Sequence, residues 1–239
     1  ISSKGLEIIL DKIDRKIILK QSSVSDWVLI KDVDLSNWTV EFLGVKDLNL
    51  NFDQNIQRFN SYGMTGCLNL YAVVFDKTSI KVNGGGCEDS VNIIKSYGNL
   101  KEIEVNNAHA DAVDVDFSKI NVDFISVNFA GNDCIDVSGG IYILKEVKVI
   151  NCGDKGLSVG EDSRLTAKKI FIDEAEIGIS SKDSSITKIH NAIFQNIKTC
   201  YESVKKKQEF WGAQLNFKSI DCSSNYNIDS NSTVSMGKI

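Results

Sequence analysis

The sequence predicts an all-β chain folded as a right-handed parallel β-helix of about 22 residues per coil, on three observations. The first is a small–apolar–polar–apolar unit that returns at a fixed interval. It runs Ser90-Val91-Asn92-Ile93, Ala112-Val113-Asp114-Val115, Cys134-Ile135-Asp136-Val137, Gly156-Leu157-Ser158-Val159, Gly178-Ile179-Ser180-Ser181 and Cys200-Tyr201-Glu202-Ser203, with Cys222 one step further. A slightly longer step leads back to Cys67-Leu68-Asn69-Leu70, with the extra residue expected near Gly84-Gly85-Gly86. The second is another column in the same register: Val105, Val127, Val149, Phe171, Ile193 and Leu215. The third is composition. The repeating segments are rich in Val and Ile and alternate like strands. The chain has no proline, whose missing N–H would interrupt any ladder it entered.

Taken in order, residues 1–44 are expected to form an N-terminal cap and first coil. Leu6, Ile8, Ile9, Ile13, Ile17, Ile18 and Leu19 supply the apolar cover over the rod's end. Residues 45–222 form the coils, each rising about 4.8 Å, and the Asn/Ser-rich stretch 223–239 is a tail or loose last coil. In each unit the apolar pair points inward and the leading small residue turns a tight corner. Of the six cysteines, Cys67, Cys134, Cys200 and Cys222 share that corner position. Their expected state is a stacked, half-buried thiol ladder, with Cys200 and Cys222 the one pair placed to bridge. No CxxC or Cys/His spacing points to zinc.

A net charge of −5 argues against nucleic acid as a partner, because phosphate binding needs a surplus of Lys and Arg. No apolar run reaches the ~20 residues of a membrane span, so no membrane insertion is expected. The chain opens Ile1-Ser2-Ser3-Lys4, and any targeting segment is expected to lie outside it. Gly84-Gly85-Gly86 lacks a following Lys-Ser/Thr and reads as a bulged corner, not a phosphate loop. Lys205-Lys206-Lys207 reads as a solvated loop.

The polar residue of each unit should point outward, giving the column Asn69, Asn92, Asp114, Asp136, Ser158, Ser180 and Glu202. Beside it lie Asp89, Asp111, Asp133 and Lys155, and Asp116, Asp154, Glu161, Lys182 and Lys206 extend the same face. Carboxylates ~5–10 Å apart suit acid/base work on sugars, and close like charges raise each other's pKa. The same ladder could instead be solvated or hold Ca2+, the one cofactor the pattern admits. Of the two histidines, His109 stands in a turn on this face and His190 beside a strand. Tyr201, Phe210 and Trp211 either stack on a sugar or cover the rod's end.

The run His109-Ala110-Asp111-Ala112-Val113-Asp114-Val115 resembles the Asn-Thr-Asp-Gly-Ile-Asp-Ile segment of polygalacturonase-type glycoside hydrolases. One coil later Gly131-Asn132-Asp133-Cys134-Ile135 is similar to that family's Gly-Asp-Asp-Cys-Ile. Another coil on, Cys152-Gly153-Asp154-Lys155-Gly156-Leu157-Ser158-Val159-Gly160 resembles its Gly-His-Gly-Leu-Ser-Ile-Gly. The resemblance implies that Asp111 and Asp133 match catalytic aspartates. Asn132 replaces the other member of an aspartate pair, Lys155 replaces a histidine, and the family's Arg-Ile-Lys clamp has no counterpart. The stretches 178–185 and 206–210 also resemble uncharacterised bacterial β-helix repeat proteins associated with cell-surface carbohydrate.

These readings give two functional expectations. One is a carbohydrate-directed domain, extracellular or on a bacterial cell surface, that binds or modifies an acidic polysaccharide as a lyase, epimerase or hydrolase. Asp111, Asp133 and Lys155 would be catalytic, and His109, Asp114, Asn132, Asp136, Asp154, Glu161 and Lys182 would bind substrate. Asp133 would act as acid, Lys155 as base or carboxylate clamp, and Asp111 as the orienting charge. The alternative is a non-catalytic structural or adhesive module of a larger surface protein. Oligomers are compatible with the pattern, but no residue specifies one.

Overall fold

A computed structural model describes residues 1–45 and 58–237; the expected boundary at residue 45 adjoins residues 46–57, outside the described residues, as are 238–239 of the tail. The chain is all-β: a parallel β-solenoid of about 10 turns with about 22 residues per turn. It opens with β1 (Glu7–Asp11), β2 (Lys16–Lys20), β3 (Val28–Lys31), β4 (Thr39–Leu43) and β5 (Gly66–Tyr71). Paired strands of successive coils follow: β6 (Val74–Asn83), β7 (Asp89–Ile94), β8 (Tyr97–Ala108), β9 (Asp111–Asp116), β10 (Lys119–Ala130) and β11 (Ile135–Ser138). In β12 (Ile141–Gly160), β13 (Arg164–Lys182) and β14 (Ile186–Val204) whole coils run as single bent strands. The last described turns are β15 (Gln214–Asp221), β16 (Asn225–Ile228) and β17 (Thr233–Met236), so the polar tail continues the ladders.

The first column stacks as expected. Val28, Leu68, Val91, Val113 and Ile135 are register partners in turn, as are Leu157, Ile179 and Tyr201 further along, and all are buried. The extra residue of the 23-residue step lies between Asn83, paired with Asn106, and Asp89, paired with Asp111. The glycine run is there.

The second column needs correcting. Val105, Val127 and Val149 are stacked in the interior, but the pile continues through Ile172 and Phe194, not Phe171 and Ile193. An additional residue enters between Gly160 and Arg164, because Ser138 pairs with Gly160 while Ile141 pairs with Arg164. A slip of one residue turns a strand's side chains over. Phe171 and Ile193 therefore follow Lys148 on the outer wall, and Leu215, though buried, pairs with Thr187.

β1 pairs antiparallel with β2, and β2 is the first parallel rung, under β4. Of the expected apolar cover, Leu6 and Leu19 are buried in the core and Ile17 packs against it. Ile8, Ile9, Leu10 and Ile13 stay exposed, and a mostly apolar hollow of about 1030 Å³ lies there.

The expected thiol ladder is also corrected. Cys67–Cys87, Cys134–Cys152 and Cys200–Cys222 are disulfides, and no described cysteine is free. Each joins a corner cysteine to one 18–22 residues further on, which arrives at the same corner on the following coil. Only the last pair was placed to bridge by sequence. Closing a loop of this length removes unfolded-state entropy worth roughly 3 kcal/mol per bridge.

Candidate functional site

The acidic residues divide into two sets with different surroundings. The first is a column at the corner preceding the repeated unit. Asp89 and Asp111 are register partners on adjacent coils. Asp111 Oδ1 accepts the backbone N–H of Asp133 at 2.9 Å and the Nδ2 of exposed Asn132 at 2.7 Å. Asp133 Oδ1 repeats the device, accepting from the backbone N of Lys155 at 3.0 Å and from its Nζ at 3.3 Å. Lys155 Nζ also pairs with Asp154. Asp111, Asp133 and Lys155 are thus brought together, as expected, but as interlocked corner clamps with Asp133 and Lys155 buried.

Burial raises Asp133 to about 7, against the pull of Lys155 and with further push from Asp111 and Asp136. It also raises Asp111, opposed by the N–H of Asp133 and the amide of Asn132. Burial alone would lower Lys155, but Asp154 and Asp133 outweigh it and hold the ammonium above its ordinary range. A lysine so held carries its charge near neutral pH, joined to Asp133 and Asp154. His109 is half-buried and lowered by burial, with Glu88 opposing.

The second set lines a polar trench of about 500 Å³ on the outer face of the sheet formed by β7, β9 and β11. Its floor carries Asn92, Asp114, Asp136, Asp116 and Ser138. One wall is the segment from Arg58 to Thr65 and the other includes Lys206 and Lys207. These walls correct two expectations. Part of the outward column is covered: Asn69, Asn92, Ser158 and Ser180 are buried, while Asp114, Asp136 and Glu202 are half-buried. Asn69, for example, donates Nδ2 to Val28 O at 2.9 Å and Gly66 O at 2.6 Å. The lysine run is also more than a solvated loop. Buried Asp183 Oδ1 accepts the N–H groups of Lys206 and Lys207, each at 2.7 Å, and fixes the wall in place.

Within the trench two acids are pushed apart. Burial, Asp136 and Glu161 raise Asp116 to about 6, with Lys207 opposing. Burial would raise Glu161 too, but hydrogen bonds from Lys207 and Ser138 outweigh it and hold that carboxyl below its usual range. Asp116 stacks with Ser138 and then Gly160, the residue before Glu161, so two small side chains leave a notch between the acids. Two coil rises put the two backbones about 10 Å apart at ~4.8 Å each. Asp114 is raised well above the ordinary range by burial and by Asp89, Asp116, Asp136 and Asp111. Asn92 Nδ2 donates to Asp114 Oδ2 at 3.1 Å, while Asp136 Oδ1 and Ser158 Oγ are buried without a partner.

Sequence reasoning placed Asp114, Asp136, Glu161 and Lys182 on this face, and all four line the trench. It gave Asp116 no role. The signal was available in the small Ser138 and Gly160 above it, but the covering walls were not. Asn132 and Asp154 stay with the corner set. Tyr201 is buried against Phe217 and Tyr226, whereas Trp211 is exposed beneath Lys205. Among the described residues no three His, Cys, Asp or Glu side chains are grouped to hold a metal ion, and no helix is long and apolar enough to cross a membrane.

Compared with known proteins, no family model matches the chain and no curated protein matches its sequence. The likeness to polygalacturonase-type hydrolases rests on three short motifs. Two of the three key positions in those motifs are clamps of the coil.

Proposed function

We propose that this domain lies outside the cell or on its surface, binds a polysaccharide in the trench and hydrolyses it with Asp116 as acid and Glu161 as base. The observation that carries the reading is the opposed perturbation of these two carboxyls across a notch of small residues. Two titratable groups driven apart by their environments are the arrangement acid–base catalysis needs. Asp116 donates its proton to the glycosidic oxygen as the C1–O bond breaks. Glu161 takes a proton from a water whose oxygen adds to C1, and the two sugar ends leave as hydroxyls. The ~6.5–9.5 Å carboxyl spacing of inverting hydrolases is within reach of side chains on backbones two coils apart. Elimination or epimerisation started by Lys155 has less support, since that ammonium is held charged. Three disulfides fit an oxidising compartment.

The test is release of reducing ends from a panel of polysaccharides, with ultraviolet absorbance for unsaturated products and analysis of anomeric configuration. Activity requires Asp116 protonated and Glu161 ionised, so the rate falls as pH rises through about 6. Asp116→Asn and Glu161→Gln are each expected to lose about 10²–10⁴-fold in kcat. No turnover on any polymer, or full activity in both variants, overturns the mechanism. A non-catalytic structural or adhesive module is the second reading, favoured by the interlocked Asp111, Asp133 and Lys155. Binding without turnover selects it.

A further inference from the structure

The trench contains a cation that lowers Glu161 by its charge without forming an ion pair with it. Lys182 is only 9 % exposed and lines the trench on the Glu161 side. Its aliphatic chain lies over Gly160, where a Cβ would touch Lys182 Cε at 3.6 Å, so the glycine provides the bed on which the lysine rests. Among the described residues no carboxylate oxygen comes within 4.0 Å of its Nζ, and the ammonium makes no hydrogen bond there. Lys206 on the wall is exposed, and two other lysines behave differently. Lys155 is clamped by Asp133 and Asp154, and Lys207 is paired with Glu161. The stem of Lys182 is buried while its Nζ stays accessible, so the ammonium reaches the trench, where a counter-charge can meet it.

We propose that Lys182 anchors an anionic group of the bound saccharide, a carboxylate or a sulfate, which makes the ligand an acidic polysaccharide. This rests on the trench being the saccharide site, and it adds the feature that selects among polymers. Its position fits that part. Lys182 follows Gly160 in the column that begins at Asp116 and Ser138, so an anion held there would set the sugar across the notch between Asp116 and Glu161. A lysine suits this task as a compact point charge with three donors and no need of a fixed plane.

The experiment measures dissociation constants of the full chain for polygalacturonate, dextran sulfate and uncharged dextran by calorimetry, with melting temperatures recorded alongside. Wild type is expected to prefer one or both anionic polymers, and the tighter of the two names the group. Lys182→Met should weaken that binding about 10- to 100-fold, the range of one charge-assisted hydrogen bond, and Lys182→Arg should restore part of it. Dextran binding should not change. The melting temperature of Lys182→Met should stay within a few degrees of that of wild type, since the accessible ammonium forms no ion pair among the described residues. Equal affinity of Lys182→Met and wild type for the anionic polymers, no preference for charge, or a marked fall in melting temperature each overturns the assignment. If Asp116→Asn still abolishes turnover in any of those cases, the trench stands as the site without the anchor. Absence of binding to all three polymers, with no turnover of any, overturns both.

Discussion

Replacing Asp89 by Asn should stabilise the protein, and should do so only at neutral and alkaline pH. Asp89 is 2 % exposed, its Oδ2 has no hydrogen-bond partner, and it stacks on Asp111. Burial raises its pKa to about 8, a hydrogen bond with Thr65 works against this, and Asp111 adds to it. In the unfolded chain the same group titrates near 3.9. Between about pH 4 and pH 8 the folded state therefore holds a proton that the unfolded state has released. Stability accordingly falls as pH rises through that window, by about 1.4 kcal/mol per unit, or roughly 4 kcal/mol by pH 7. Asparagine keeps the shape and carries no charge. Asp111 shares the local repulsion and takes back part of the gain, leaving about 2 kcal/mol for Asp89→Asn at pH 7.5. At about 2–4 °C per kcal/mol for a chain of this size, the melting temperature should rise by roughly 4–8 °C. Urea unfolding at pH 4.5 and pH 7.5 separates this from a change in packing. A difference that is equal at the two pH values, or a variant less stable at pH 7.5, refutes the reasoning.

Two further outcomes follow from the corners. Cys134→Ala combined with Cys152→Ala, which opens a bridge across a separation of 18 residues, should cost about 3 kcal/mol in denaturant unfolding; a loss under 1 kcal/mol would show that the stacked coils already constrain that corner. Phe129 has a φ of 72° in a column where Asn107, Asn151 and Asn196 also take positive φ. Phe129→Asn should raise stability by about 1 kcal/mol, read as a melting shift of a few degrees, and a fall would mean that the half-exposed ring contributes more packing than its backbone costs.

Much of this architecture was legible because a solenoid writes its packing into one number. Leu68, Val91, Val113 and Ile135 announce their stacking by spacing alone, and the glycine run marks where one coil is longer. The second column failed at Phe171 because a single inserted residue near Asp162 leaves spacing nearly intact but exchanges inside for outside. The disulfides were hidden for a related reason. Cys87 and Cys152 lie outside the two columns that spacing reveals, Cys152 stacking instead with Ala130 and Ala175, and they meet their partners through the path of the corner. The corner that follows the repeated unit depends on left-handed backbone at Lys95, Phe117 and Glu161, residue types that give no hint of it. For the site, the ladder of acids could be read, but which of them water can reach depends on the Arg58–Thr65 and Lys206–Lys207 walls.

The division of the acids into clamps and candidates for chemistry has a single geometric cause. Stacking puts residues of like position about 4.8 Å apart, so any repeated acid meets its own kind. At the corner a carboxylate can escape this, because the N–H of the next coil is turned toward it; Asp111 and Asp133 both take that bond. On the flat of the sheet the N–H groups already belong to the parallel ladder, and Asp114 and Asp116 have none to accept. They are left to hold protons or to find cations from the walls. Glu161 takes the second course through Lys207, and Asp116, raised to about 6, takes the first. The repeat itself thus raises the pKa of an acid on the face, with no dedicated partner, and Asp116 holds its proton below about pH 6. On the proposed mechanism, a polysaccharide brought across that face would meet a proton donor wherever a small residue on the next coil leaves it uncovered. Ser138 uncovers Asp116 in this way.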